Sequence, residues 1–403
     1  MKLNNESKIL MEQLLDEYKL LEMKENIYLN KNNFYIQILN QLLKAEDDYN
    51  MNKKHIIIEK DNDIHLTGIK KSKYIPNSII NYNFNNNYVK ITYKFIIHTK
   101  IFMIHLFVYK NNDIKMSKLD KYIKRIYIWL YVISQYSTEK CGNILDIYIH
   151  FINKKKQLPK EQKNILNEEN VNSAVTTSCV SIGDILIYRH EEWFKVFIHE
   201  TFHIFGIDFS NMNCNMINKK FINLFNINSN INSYEAYTEF WATIMNSILS
   251  SYFIIDKKET FNLKNNFLMY IDFFIEFERF FSLFQMVKIL DYMGLSYKNI
   301  IESKDIVLKN LYKEKTSVFS YYIVKSILLY NYNDFIKWCE NNNKNTLNFK
   351  KTYLNLNNLM DFIQKKYKNK EFLNDLKKME NIVKKNKTNK FLYETLRMTI
   401  IEI

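Results

Sequence analysis

Long apolar runs are missing from this chain. One of the longest, Ile126–Ile133, is far shorter than the roughly 20 residues that a membrane-spanning helix needs. The N-terminal stretch MKLNNESKILMEQLLDEYKL mixes acidic side chains into an amphipathic pattern and has no signal-peptide core. The sequence therefore predicts a protein that stays in the cytoplasm and has no membrane partner.

Cysteine is also scarce. The chain has four, and they show no C-x-x-C pairing: Cys141, Cys179, Cys214 and Cys339. Scattered cysteines without a pairing pattern are typical of free thiols in a reducing compartment. The sequence therefore predicts four free thiols, which agrees with a cytoplasmic location.

Arginine is rare among the basic residues. The chain has 57 lysines and arginines and a net charge of +14, and only four of the 57 are arginines: Arg125, Arg189, Arg279 and Arg397. Arginine is the side chain that usually reads bases and phosphates through paired hydrogen bonds. The excess of Lys, Asn, Ile and Tyr over Gly and Pro is typical of an AT-rich genome, so we attribute the charge to composition. We predict no nucleic-acid partner.

Two regions of the chain have different residue patterns. From His55 onward, β-branched and aromatic segments separated by polar breaks predict strands and one intervening helix. After Gly206 no proline occurs, and apolar residues with helical periodicity predict helices to the end. We predict an α+β fold in three parts: an N-terminal helical segment (1–54), a subdomain with a twisted sheet and one functional helix (55–206), and an all-α subdomain (207–403).

The functional helix is predicted at Glu191–Gly206, EEWFKVFIHETFHIFG, which contains the pattern H-E-x-x-H. Residues i and i+4 of a helix share a face, so the imidazoles of His199 and His203 can bind one metal ion. Glu200 lies about 100° round the helix from His199, where its carboxylate can accept a proton from a metal-activated water.

The residues around this motif are apolar on nearly every side of the helix, which predicts that the helix is buried. Two buried imidazoles and a carboxylate need polar partners, and one metal ion provides a partner for all three. The alternative is a pair of core histidines satisfied by neighbouring side chains, with Glu200 in solvent. The sequence favours the metal site.

A catalytic zinc site with two histidines needs at least one more protein ligand and an open position for water. No histidine follows His203, so a ligand from the second half must be another residue type. The segment SYEAYTEFW offers Glu235 and Glu239 at positions i and i+4 of a predicted helix. Glu235 could instead cap this helix through the pattern Asn232-x-x-Glu235, and Glu239 would then be the ligand.

These motifs resemble the zincin metallopeptidases, and among them the gluzincins, in which a glutamate on a second helix is the third zinc ligand. YEAYTEF is similar to the N-E-G-F-A-E-Y of the aminopeptidase members, with two departures. The resemblance implies Zn²⁺ bound by His199, His203 and Glu235, and Glu239 holding the outer N–H of a ligand histidine. The G-A-M-E-N motif of the aminopeptidases is absent, so exopeptidase activity does not carry over.

A second zincin branch, the metzincins, has the pattern H-E-x-x-H-x-x-G-x-x-H/D. Gly206 fits this pattern, but Phe209 occupies the last position and Asp208 comes one residue early. Asp208 is therefore an alternative third ligand. If it is not a ligand, it is a polar residue just past the helix that can hold a ligand histidine.

The zincin resemblance also implies a twisted sheet over the metal helix, with an edge strand that pairs with extended substrate. The matching residues lie in 171–177, with Asn172, Ser173 and Ala174 as contact points. Zinc proteases usually add a side chain that donates to the developing oxyanion. Tyr322 and then Tyr321 are the candidates for this donor, and the alternative is that both are ordinary core tyrosines. For residues 171–177, the alternative is an ordinary edge strand that binds no substrate.

The continuous segment I-Y-R-x-E-E-W-F-K-V-F-I-H-E-T-F-H is also similar to uncharacterised zincin-like proteins of large DNA viruses. A viral protein of this kind would lie in the host cytoplasm or the virion. The resemblance implies a zinc-dependent metalloendopeptidase that cleaves a polypeptide substrate, with Glu200 as the general base. The alternative is a catalytically silent zincin fold that binds viral or host proteins.

Overall fold

A computed structural model describes residues 2–19, 21, 33–61, 67–70, 72–82, 88–110, 116–161, 164–229, 231–255 and 262–403. The chain forms two compact units whose ranges alternate along the sequence. The first, which we call the sheet unit, consists of 33–155 and 172–211. The second, the helical unit, consists of 1–32, 156–171 and 212–403.

One six-stranded mixed sheet forms the centre of the sheet unit, with strand order β1-β2-β3-β4-β6-β5. The first three strands are antiparallel neighbours, β3, β4 and β6 run parallel, and β5 is antiparallel to β6. The strands are β1 (Ile57–Asp61), β2 (Tyr88–Ile97), β3 (Lys100–Tyr109), β4 (Ile144–Ile152), β5 (Ala174–Thr176) and β6 (Ile182–Arg189).

Four helices, α2, α3, α4 and α6, belong to the sheet unit, and the others belong to the helical unit. In chain order they are α1 (Asn5–Tyr18), α2 (Asn33–Asn52), α3 (Asn77–Ile80), α4 (Met116–Ser134), α5 (Glu168–Val171), α6 (Trp193–Ile204), α7 (Asn215–Leu224), α8 (Ser233–Ile254), α9 (Leu263–Tyr292), α10 (Tyr297–Glu302), α11 (Ile306–Leu311), α12 (Lys325–Tyr330), α13 (Tyr332–Asn342), α14 (Tyr353–Lys366), α15 (Lys370–Lys385) and α16 (Lys390–Glu394). A π-helix spans Phe319–Val324, directly before α12.

The predicted α+β class is confirmed, and so is the helical character of the second half of the chain. From 212 onward, each named element within the described residues is a helix. Helix α14 begins at Tyr353, because the hydroxyl of Thr352 accepts a hydrogen bond from Asn355 N and caps the helix there. No helix within the described ranges is long and apolar enough to cross a membrane.

Helices α4 and α6 position the candidate site within the sheet unit. Helix α6 packs on β5 and β6, and α4 packs on α6 and β2. The core includes Ile104 of β3 and Ile147 of β4, which are both fully buried. The alternation of apolar and polar residues along these strands turns one face toward this core.

The prediction of four free thiols is wrong. Cys141 and Cys179 form a disulfide with their Cα atoms 4.7 Å apart, whereas Cys214 and Cys339 are free and buried. The two bonded cysteines are 38 residues apart, so no local motif marks them. They meet because β4 and β6 are parallel neighbours and the segments that lead into these strands run side by side: Gly142 N donates to Val180 O at 2.8 Å. The cysteines therefore give no evidence of a reducing compartment.

Candidate metal centre

Helix α6 carries both motif histidines and is buried along its whole length, as predicted. It starts after Glu192, whose backbone is left-handed with φ of 58°. It is followed by Gly206, with φ of 63°, and a side chain there would meet the sulfurs of Cys179 and Cys141 at 3.1 and 3.2 Å. Gly206 is required at this position for both reasons.

The rings of His199 and His203 face the same point. Their Nε2 atoms are 3.1 Å apart, and the two side chains are almost fully buried. Two nitrogens bound to one tetrahedral zinc at about 2.0–2.1 Å lie roughly 3.3–3.4 Å apart. The observed separation is close to that value, so the pair fits a shared metal ion without a change of rotamer.

The outer nitrogen of one ligand histidine has a defined partner. His203 Nδ1 lies 2.6 Å from Oδ2 of Asp208, which is fully buried, and Asp208 Oδ1 accepts a hydrogen bond from Ser210 Oγ at 2.8 Å. A proton held on Nδ1 leaves the Nε2 lone pair available to a metal. This contact gives Asp208 the role of holding His203, and it does not support the alternative in which Asp208 is itself the third ligand.

The middle of α6 is fixed by a hydrogen bond that the sequence did not reveal. Trp129 Nε1 on α4 donates to Thr201 Oγ1 at 2.8 Å, and this hydroxyl donates to Ile198 O at 2.6 Å. All three residues are fully buried. The sequence motif gives no partner for Thr201, and only the packing of α4 on α6 identifies it.

Helix α8 carries the predicted third ligand in its first turn. Glu235 is half-buried and Glu239, one turn later, is buried. The side chain of Asn232, the residue before α8, makes no capping hydrogen bond and instead donates from Nδ2 to Ser317 Oγ at 3.1 Å. Ser320 Oγ donates to Asn232 O at 2.8 Å and also fixes the start of the helix.

His199 and His203 of the sheet unit, and Glu235 of the helical unit, are residue types with metal-ligand chemistry. Two neutral imidazoles and one carboxylate are a donor set that suits zinc in catalytic sites. Within the sheet unit, the histidine pair is the part of this set whose geometry fits a metal ion.

The two tyrosines proposed as oxyanion donors lie on the π-helix, a distortion often found near functional sites. Tyr322 is buried and its hydroxyl donates to Leu396 O at 2.6 Å, which commits its only proton. Tyr321 is half-buried. The contact of Tyr322 is that of a core tyrosine, so Tyr321 is the better candidate of the two.

The predicted substrate strand lies at the end of the sheet. Ala174 begins β5, which stands last in the strand order. Asn172 and Ser173 precede the strand and have structural partners: Asn172 O accepts from Arg189 Nε at 2.8 Å, and Ser173 O accepts from Tyr188 N at 3.0 Å. These contacts anchor the start of β5 to the end of β6.

No protein-family model matches the chain, and no curated protein and no solved structure matches it. The interpretation of this site therefore depends on the residues and their geometry.

Proposed function

We propose that this chain is a zinc-dependent metalloendopeptidase of zincin type, in which His199, His203 and Glu235 bind Zn²⁺. The observation that carries the proposal is the pair of Nε2 atoms 3.1 Å apart, with Asp208 on the outer nitrogen of His203. A buried carboxylate on the outer nitrogen fixes the tautomer that leaves the inner nitrogen free for a metal, an arrangement typical of metal-binding histidines.

When bound, zinc makes water a nucleophile at neutral pH and polarises a substrate carbonyl. Glu200 is next to His199 on α6 and is almost fully buried. We propose that its carboxylate accepts the proton of the attacking water and passes it to the leaving amine. Tyr321 is proposed as the donor that stabilises the developing oxyanion.

The proposed substrate is an extended polypeptide that pairs with β5. Strand β5 is antiparallel to β6 and is the last strand of the sheet, so its outer edge can offer backbone hydrogen bonds to a substrate strand. Ala174 is the contact residue within the strand, and Asn172 and Ser173 set its position.

The test separates metal binding from catalysis. Purified protein is expected to hold one tightly bound zinc, and His199→Ala is expected to hold none, as measured by atomic absorption. Glu200→Gln should keep its zinc and lose cleavage of a fluorescently labelled, denatured casein by several orders of magnitude, because Gln cannot accept the proton. Glu59→Gln, an exposed carboxylate on β1, is the matched control and should change neither quantity.

Two outcomes would contradict the proposal in different ways. Absence of zinc from the wild-type protein would remove the metal site and the enzyme together. Zinc in the wild type and in Glu200→Gln, with no hydrolysis by either, would favour a catalytically silent zincin fold that acts by binding other proteins.

A further inference from the structure

The Cys141–Cys179 disulfide lies against the end of the helix that carries the proposed ligands. A Cβ at Gly206, two residues after the end of α6, would lie 3.1 Å from Cys179 Sγ and 3.2 Å from Cys141 Sγ, so both sulfurs are close to this turn. Cys179 N also donates to His203 O at 3.0 Å, so the backbone of one bonded cysteine is hydrogen-bonded to the backbone of a proposed ligand. The disulfide thus connects the segment before β4 to the last turn of α6 through Cys179.

A second connection runs through side chains. Ser178, next to Cys179, shares a hydrogen bond with Ser210 Oγ at 2.6 Å, and its Oγ also lies 2.5 Å from Asn211 Oδ1. Ser210 donates to Asp208, and Asp208 accepts a hydrogen bond from His203 Nδ1. A continuous series of hydrogen bonds therefore leads from the loop that the disulfide restrains to the imidazole that binds the metal.

The two sulfurs have different surroundings. Cys179 is partly exposed and has an unusual backbone with φ of 45°, whereas Cys141 is fully buried. The hydroxyl of Thr138 lies 3.0 Å from Cys141 Sγ. Cys179 is the more exposed of the two residues and is therefore the expected point of attack by an incoming thiol, and Cys141 is the sulfur whose hydrogen-bond donor is already in place.

Lys100 adds a positive charge beside Cys141. This side chain is buried, and its Nζ donates to Cys141 O at 2.7 Å and to Asn143 Oδ1 at 2.9 Å. Within the described part of the chain, no carboxylate lies at ion-pair distance from Lys100; its two acceptors are neutral oxygens. A thiolate at Cys141 would be an anionic neighbour for this buried ammonium group.

We propose that Cys141–Cys179 is a redox site for small dithiols, and that its reduction loosens the hold of α6 on the metal. The metal consequence rests on the proposed zinc site. The thiolate of the dithiol attacks Cys179 Sγ, the Cys141–Cys179 bond breaks, and Cys141 leaves as a thiolate beside Thr138 and Lys100. The second thiol of the dithiol then attacks the mixed disulfide; Cys179 leaves with the electron pair and takes up a proton, and the dithiol is released as its cyclic disulfide.

The first experiment uses the wild-type protein with and without treatment by dithiothreitol, which is removed before measurement. Maleimide labelling followed by mass spectrometry counts the thiols that become reactive, and zinc release to EDTA is followed with a colorimetric indicator. Reduction is expected to expose Cys141 and Cys179 and to speed zinc release on the order of tenfold. The disulfide-free variant Cys179→Ser should release zinc at the faster rate without reduction, and Cys339→Ser, a free buried cysteine of the helical unit, should behave as wild type.

Thr138→Val tests the chemical step separately, because it removes the hydroxyl beside Cys141 Sγ but leaves the disulfide in place. Reduction by dithiothreitol should slow by about tenfold, the value of a hydrogen bond to a charged group. Zinc release from the oxidised variant should not change. Equal reduction rates in the variant and the wild type would overturn the role given to Thr138 and Cys141.

Hydrogen exchange of the backbone amides at 203–211, measured in metal-free protein, distinguishes this proposal from the zinc proposal. If the wild type binds no zinc but these amides exchange faster after reduction, the zinc site fails and the redox site stands. If zinc binds and reduction changes neither release nor exchange, the redox proposal is overturned. Chemical reduction of the wild type gives the same comparison if Cys179→Ser does not fold.

Discussion

Two carboxylates, Asp208 in the sheet unit and Glu314 in the helical unit, each organise a segment beside residues of the proposed site. Asp208 faces the His203 imidazole and a serine hydroxyl. Within the described part of the chain, the donors to the Glu314 carboxyl are neutral: the hydroxyls of Ser229 and Tyr312 and the backbone N–H groups of Val318 and Phe319. Asp208 therefore has a partner that can carry positive charge, whereas these donors to Glu314 are uncharged.

This difference appears in the proton affinity of Glu314. Burial of its carboxyl raises the pKa to about 7, against an ordinary value of 4.5, and the four hydrogen bonds lower it only in part. The segment that leads to α8 and the start of the π-helix both depend on this carboxyl, through Ser229 and Phe319. The comparison teaches that the histidine end of the site is electrostatically compensated, whereas the segment before Glu235 depends on the protonation of a buried acid.

The largest expected effect is the loss of a histidine ligand. His203→Ala removes both a metal ligand and the partner of Asp208, which is left buried without the imidazole. Structural zinc held by four protein ligands binds with a free energy of about 10–16 kcal/mol. Removal of one ligand should therefore cost several kcal/mol of zinc binding, on the order of 1,000-fold in affinity. Competition with a chromophoric chelator measures it, and an affinity within tenfold of wild type would contradict the site.

A smaller loss is expected for the glutamate ligand. Glu235→Gln removes an anionic ligand but keeps an oxygen donor, so zinc affinity should fall about 100-fold. Glu239→Gln, at the buried position one turn later, should lose about 10- to 100-fold if that carboxylate holds a ligand histidine. A greater loss for Glu239→Gln than for Glu235→Gln would exchange the two roles.

Removal of the charge that holds His203 should weaken the site without breaking it. Asp208→Asn keeps an acceptor for His203 Nδ1 but loses the negative charge, and zinc affinity should fall about 10- to 100-fold. The same chelator competition measures this. Complete loss of zinc in Asp208→Asn, with Glu235→Gln unaffected, would restore the metzincin-like alternative in which Asp208 is the ligand.

The contrast with Glu314 predicts a pH effect on the stability of the helical unit. The folded pKa of about 7 lies above the ordinary 4.5, so the folded state binds the proton more tightly. The contribution of this carboxyl to the free energy of unfolding is therefore largest below about pH 4.5, and it is lost as the pH rises through 7. Glu314→Gln should stabilise the protein at pH 8 by about 1–3 kcal/mol relative to wild type.

Urea denaturation at pH 5 and pH 8 measures this difference. The gain from Glu314→Gln should shrink toward pH 5, where the wild-type carboxyl is already protonated in the folded state. Glu340→Gln, at a less buried acid of the same unit, is a control with a smaller expected change. A gain that does not depend on pH would show that the carboxyl of Glu314 is not the titrating group.

Sequence reasoning identified the parts of the molecule that have a local signature. The spacing of His199 and His203 and the apolar residues around them predict a buried helix, which the structure confirms. The choice of Glu235 depended on a spacing pattern in a second helical segment, and its role as a ligand stays a prediction.

The rest depended on contacts between residues far apart in the chain. Cys141 and Cys179 are neighbours because β4 and β6 are parallel, and no pattern in the sequence records that register. The link from Ser178 to Ser210 follows from the same topology. Glu314 looks like any loop acid in the sequence, and only the donors that surround its carboxyl in the folded protein reveal its role.

The smallest effect on zinc affinity is expected from Ser210, which donates a hydrogen bond to the Asp208 oxygen that does not face His203. Ser210→Ala removes one hydrogen bond to Asp208 Oδ1 and one to Ser178, but leaves the contact between Asp208 and His203 intact. The loss of a neutral hydroxyl donor to a carboxylate is worth about 1 kcal/mol, so zinc affinity should fall about two- to tenfold. Since the Ser178 hydroxyl can then donate to Asn211, the loop keeps a second tether, and Ser210→Ala should respond to reduction of the disulfide less than the wild type does. An equal response would mean that the disulfide acts on His203 through the hydrogen bonds that its carbonyl accepts from Cys179 N and Ser178 Oγ.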